Sequence, residues 1–109
     1  HIHGTGDEVV PIDGSWPYDD GWGDVPGLDV LLERWKTVNE TTTATETVIS
    51  EHTTLYQYIN ETDNLHVCFY EIDGFGHNWP VDGVKSERVD PGFNASEAIW
   101  EFFSQFIQD

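Results

Sequence analysis

Two residues stand in settings that suit proton transfer. Asp7 follows Thr5-Gly6 in a turn composition just after a short strand end, Ile2 to Gly4. His77 sits in Gly74-Phe-Gly-His-Asn-Trp-Pro80, a loop that follows the apolar run Leu65–Ile72. In open α/β sheets, functional groups collect at the carboxyl ends of strands, where both residues are expected. A carboxylate can fix the tautomer of an imidazole and stabilise the imidazolium, and the imidazole can then take a proton from a hydroxyl. An Asp one strand before a His is also the chain order of the second half of a Ser…Asp…His triad. Gly74 and Gly76 give the backbone the freedom to turn sharply around the His.

Other groups carry weaker signals. His1 and His3 alternate on one strand face with Asp7 close by, a set that suits zinc, but no further His or Cys follows at ligand spacing. Asp19, Asp20 and Asp24 are acidic enough for calcium, yet their spacing is not that of a 12-residue calcium loop. Trp16, Tyr18, Trp22 and Trp79 could form a platform for a sugar or polymer, or equally could cap the core under a long loop. His52 and His66 have no motif around them and read as structural or surface residues. Cys68 is the one cysteine, so it has no internal disulfide partner and reads as a buried thiol packed as a small hydrophobe. Asn39-Glu-Thr, Asn60-Glu-Thr and Asn94-Ala-Ser match the glycosylation triplet, which Thr/Ser-rich acidic sequence also produces by chance.

The elements that must position these groups can be read from periodicity. Residues 13–27 are rich in Gly, Pro, Asp and Trp without a period, and read as a long irregular loop. Leu28, Leu31, Leu32, Trp35 and Val38 recur at helical spacing, which predicts a helix over 25–38 with Asp24 as its cap and Pro26 in the first turn. Residues 39–47 read as a polar connection, and Val48-Ile49 and Leu55–Ile59 as short strands. Leu65–Ile72 is apolar on both alternating faces, the pattern of an interior strand covered on both sides. Residues 84–93 read as irregular. Asn94 with Glu97 three residues on resembles a capping box. Ala95, Ala98, Ile99, Phe102, Phe103 and Phe106 then mark one helical face, predicting a helix through residue 107. Strand, loop, helix, strands, loop and helix in this order suit the end of an α/β sandwich, with two or three sheet strands and two helices.

A family resemblance enters on two segments. His3-Gly-Thr-Gly-Asp7-Glu-Val-Val-Pro11 resembles the H-G-T-x-D-x-x-V-P segment of α/β-hydrolases. Gly74-Phe-Gly-His77-Asn-Trp79-Pro80 resembles the G-x-G-H-x-W-P segment of the polyhydroxybutyrate depolymerase / feruloyl esterase family. The likeness spans essentially all of residues 1–109, but only the C-terminal portion of that family's domain. It implies that Asp7 is the triad acid and His77 the triad base. It also implies that Trp79 and Pro80 shape the rim of the acyl or aromatic pocket. No cofactor or metal is expected. The sequence departs from the family in one respect: Ser15, Ser50, Ser86, Ser96 and Ser104 all lack a G-x-S-x-G setting. The nucleophile and its elbow are therefore expected upstream of His1 or in another chain, and the 109 residues alone are expected to be inert.

Composition sets the outer limits. With 4 Lys+Arg against 21 Asp+Glu, the formal net charge is −17. That excludes a binder of nucleic-acid backbones and argues against docking on anionic membranes. No run of about 18 apolar residues could span a bilayer, and no basic region followed by an apolar stretch marks a leader. Such acidity with so little Lys fits a salt-exposed or secreted protein with a heavily hydrated surface. The 15 aromatic residues (5 Trp, 4 Tyr, 6 Phe) argue against a disordered acidic tail. The absence of Met and the start at His1 suggest a fragment, which would leave a sheet edge and a helix face open. Phe102, Phe103 and Phe106 would then need the missing N-terminal half, a second copy of the chain or another partner. An ester substrate is the expected ligand. The alternatives are another hydrolase on the same scaffold, of dienelactone-hydrolase or peptidase type, and a non-catalytic polymer- or glycan-binding module built on the Trp-rich loop.

Overall fold

The computed structural model describes residues 1–14, 27–62 and 65–107. These form a small mixed α/β domain with one four-stranded sheet and two helices. The elements are β1 (Ile2–Gly4), α1 (Leu28–Val38), β2 (Thr43–Val48), β3 (Thr53–Asn60), β4 (Leu65–Ile72) and α2 (Ala95–Ser104). The sheet order is β1-β4-β3-β2. β4 is thus an interior strand, as its two-sided apolar pattern requires. It pairs antiparallel with β3 and parallel with β1, where Ile2 faces Tyr70 and Gly4 faces Ile72. The parallel pair brings the ends of β1 and β4 to one edge of the sheet, so the loops that leave them start side by side.

The helices lie against opposite faces. Side chains alternate along a strand, so Tyr58, opposite Val67, and Tyr70 project to different sides. Lys36 of α1 stands 4.6 Å over the Tyr58 ring. On the other face Phe93, just before α2, stacks on Tyr70, and Phe106, just after it, meets His66 edge-on. Ile72 at the end of β4 is fully buried, and Phe75, three residues on, is almost so. With Ala95 and Ala98 of α2 they form the core beneath the two loops.

Several boundaries differ from the sequence reading, each for a physical reason. Residues 43–47 are not a polar connection but most of β2, which pairs with β3 from Thr43↔Ile59 to Val48↔Thr54. β2 is an exposed edge strand, so no buried face imposed apolar alternation on it, and Thr and Glu serve there. It brings the sheet to four strands rather than two or three. β3 runs from Thr53 to Asn60, longer at both ends than Leu55–Ile59, because Thr53 is buried and its hydroxyl donates to Pro91 O. α1 begins at Leu28 behind Gly27, not at residue 25 behind Asp24. α2 ends at Ser104 rather than 107. Asn94 does hold the N-cap position, but its side chain caps nothing in the helix; Oδ1 accepts instead from Asp82 N–H at 2.9 Å. The Trp16, Tyr18 and Trp22 platform, the Asp19, Asp20 and Asp24 cluster, Pro26 and Ser15 lie outside the described residues.

The apolar face of α2 is only half covered. Ala95 and Ala98 are buried, whereas Phe103 is 58% exposed and Phe106 42%. A groove of about 500 Å³ runs between the helices beside β1, lined among others by Leu31, Leu32, Trp35, Cys68 and Phe102.

Candidate active site

The two loops at the β1–β4 edge are stitched together before either side chain is considered. Thr5 N–H donates to Ile72 O, and Gly6 N–H donates to Phe75 O at 3.0 Å. The Thr5 hydroxyl accepts from Gly74 N–H at 2.7 Å and donates to Asp73 at 3.1 Å. Gly4 and Gly6 allow this approach: a Cβ on either would lie within 3 Å of backbone atoms of Phe75 or Gly74.

On this frame Asp7 and His77, 70 positions apart, meet at 2.9 Å between Oδ2 and Nδ1. Asp7 Oδ1 accepts from the backbone N–H groups of Val9 at 2.9 Å and Val10 at 2.8 Å, an Asx-type turn that fixes the carboxylate plane. The Asp7 side chain is 8% exposed and that of His77 55%. One partner is therefore held inside and the other presented to solvent. Burial alone pushes the Asp7 carboxyl up, but the Val10 amide, the His77 ring and the Val9 amide together outweigh it and hold it below the usual carboxylate range. An ionised carboxylate only accepts, so His77 carries its hydrogen on Nδ1. Its Nε2 then has a lone pair directed away from Asp7 and no partner among the described residues.

A depressed carboxyl value stabilises the fold only while the group is ionised. The contribution of Asp7 is therefore complete above its ordinary value, 3.8, and is lost as pH falls below it through the lower folded-state value. Urea unfolding at a series of pH values should show Asp7→Asn less stable than the native chain from neutrality down to about pH 4, with the gap closing in stronger acid. A gap that instead widened on acidification would contradict the assignment of an ionised, amide-held carboxylate.

The His77 loop is tied to the rest of the domain from two directions. Ala95 N–H at the start of α2 donates to Pro80 O, and the Trp79 indole donates to Ser96 Oγ at 3.2 Å. From the other side the buried Ser86 hydroxyl accepts from Gly76 N–H and, at 2.6 Å, from the Asn78 amide. Ser86 is placed by a tight turn in which Glu87 and Arg88 both have positive φ and Ser86 pairs with Val89. Two successive residues of positive φ define a type I′ turn. Sequence reading missed Ser86, because Glu-Arg carries none of the Asn-Gly signal of such turns.

Asp7, His77, Trp79 and Pro80 line one cleft of about 400 Å³, together with Ile2, Phe75 and Ala95. Trp79 is 59% exposed, so its ring forms a rim rather than a floor. His1 and His3 stack at 5.4 Å and bond to each other, Nε2 to Nδ1, at 3.1 Å. His3 Nε2 is spent on Val10 O at 2.7 Å, so the pair does not converge on a metal position with Asp7. No group of three metal-binding side chains occurs among the described residues. The serine hydroxyls of Ser50, Ser86, Ser96 and Ser104 engage other partners, and none of them bonds to His77. Cys68 is half-buried, near the Gln57 amide, and burial pushes its thiol up, away from the reactive thiolate. Among the described residues no helix is long and apolar enough to cross a membrane. No family model and no curated protein sequence matches the chain.

The arrangement can accept a proton at His77 Nε2 and stabilise the resulting cation through Asp7. It supplies no nucleophile of its own among the described residues.

Proposed function

We propose that these residues are the acid–base portion of a serine esterase with an α/β-hydrolase fold, of the polyhydroxybutyrate depolymerase / feruloyl esterase type. The observation that carries the reading is the 2.9 Å bond between the amide-held, buried Asp7 carboxylate and a half-exposed His77. In this reading a serine from the remainder of the domain attacks the ester carbonyl while His77 Nε2 takes its proton. A bond forms between the serine oxygen and the carbonyl carbon, and the carbonyl π electrons move onto oxygen. As the tetrahedral intermediate collapses, the imidazolium gives its proton to the departing alcohol. Water then repeats the sequence on the acyl-enzyme and releases the free acid. Asp7 stays ionised throughout and offsets the charge on His77. Trp79 and Pro80 border the acyl or aromatic group of the substrate.

The same reading assigns an occupant to the open side of the molecule. The half-covered face of α2 and the groove beside β1 receive the rest of the hydrolase sheet, which brings the serine elbow and the oxyanion hole. The test is turnover of p-nitrophenyl acyl esters by the full gene product that contains this sequence, with the 109 residues alone as comparison. Hydrolysis by the full product, stopped by a serine-directed phosphonate and undetectable in the 109 residues alone, is expected. Hydrolysis of peptides but not esters would move the assignment to a peptidase, and labelling on cysteine would move it to a dienelactone-hydrolase-like enzyme.

A further inference from the structure

The Asp7–His77 pair has a close neighbour in His3. The His3 side chain is 11% exposed and lies against both the turn and the carboxylate. Its Nε2 is 2.7 Å from Val10 O and 3.6 Å from Asp7 Oδ2. A carbonyl oxygen only accepts, so His3 carries its hydrogen on Nε2. Its Nδ1 is left to accept from His1 Nε2 at 3.1 Å. The Nε2–H thus grips the carbonyl of the very residue whose N–H, at 2.8 Å, holds Asp7 Oδ1. Glu71 is the Cα partner of His3 in the β1–β4 register.

We propose that His3 is a positioning residue for the Asp7–His77 pair: by anchoring Val10 O it fixes the 7–10 turn, and so aims Asp7 Oδ2 at His77 Nδ1. The inference rests on the functional reading above for its catalytic meaning, but its geometry can be tested without turnover. Without the anchor, the Val9–Val10 amides are free to swing, the carboxylate loses its fixed plane, and the His77 ring reverts to the Nε2–H tautomer that dominates for an unconstrained histidine side chain. At 3.6 Å from Oδ2 the His3 Nε2 is beyond hydrogen-bond reach, so its N–H stays on Val10 O and leaves Oδ2 to His77.

The experiment is the tautomer of His77, read from ¹⁵N shifts in long-range ¹⁵N–¹H spectra of the chain, for the native protein and for His3→Ala, His3→Gln and Asp7→Asn. The native protein should show Nδ1–H, and Asp7→Asn should abolish that state. His3→Ala should shift at least half of the population to Nε2–H. His3→Gln, whose amide can reach Val10 O with one N–H, should restore Nδ1–H. Full Nδ1–H in a folded His3→Ala overturns the inference. If His3→Ala does not fold, His3→Gln with His77 in the Nε2–H form would overturn it instead. If Asp7→Asn leaves the tautomer unchanged, the dyad itself fails, and with it the functional reading; an effect of Asp7→Asn without one of His3→Ala removes only the role of His3.

Discussion

Under the proposed esterase function, replacing His77 by Ala in the full gene product should lower kcat for ester hydrolysis by about four orders of magnitude, with KM nearly unchanged. The ring is half exposed at the cleft, so its removal takes away little binding surface. What the substitution would remove in the proposed mechanism is proton transfer, which acts only in the transition state and therefore falls on kcat. Asp7→Asn should fall by a comparable factor for a different reason. An Asn side chain can present its amide to Nδ1, which then must accept, and the hydrogen moves to Nε2, the atom that takes the serine proton in the proposed mechanism. Steady-state kinetics on p-nitrophenyl esters separate the two cases when the tautomer is recorded alongside. A His77→Ala enzyme within tenfold of the native rate would remove this residue from the mechanism.

The largest loss of stability from a single methyl group is expected at Gly4. A Cβ there would sit 2.0 Å from Phe75 O and 2.6 Å from Phe75 C. Those are backbone atoms of a residue whose side chain is buried in the core, so neither side can yield cheaply. Either β1 leaves β4 or Phe75 leaves the core. Overpacking of this severity costs about 3 kcal/mol or more. Gly83→Ala supplies the comparison. Its φ is +81 and a Cβ would meet nothing within 4 Å, so only the conformational cost of about 1 kcal/mol is expected there. Chemical denaturation of the two variants should rank them in that order. Equal losses would show that the close approach at Gly4 relaxes without cost.

How much of this was readable from sequence depends on how local each signal is. The Asp7 and His77 turns were legible because Gly, Asp and Trp-Pro crowd into short segments that suit little else. β4 was legible because an interior strand needs apolar residues on both faces. β2 was not, since an exposed edge strand is free to be polar, and its Thr-rich sequence looks like a connection. The role of Asn94 was half legible: its position before α2 follows from local pattern, but its bond to Asp82 depends on a loop arriving from elsewhere. Ser86 and Thr5 hold the site through contacts 8 to 10 and 69 residues away, which no window of sequence reveals.

The hydrogen bond between Asp7 and His77 closes a loop of 70 positions, and that has a kinetic meaning. Closing such a loop is opposed by chain entropy that grows with the logarithm of its length. β1 repays that cost with only three residues, in the parallel arrangement that forms slowly because its partners are remote. The antiparallel β2–β3–β4 meander involves shorter separations and can assemble first. The dyad is then expected among the last contacts to form on folding, so the same hydrogen bond that orients a proton should also report the docking of β1 on β4.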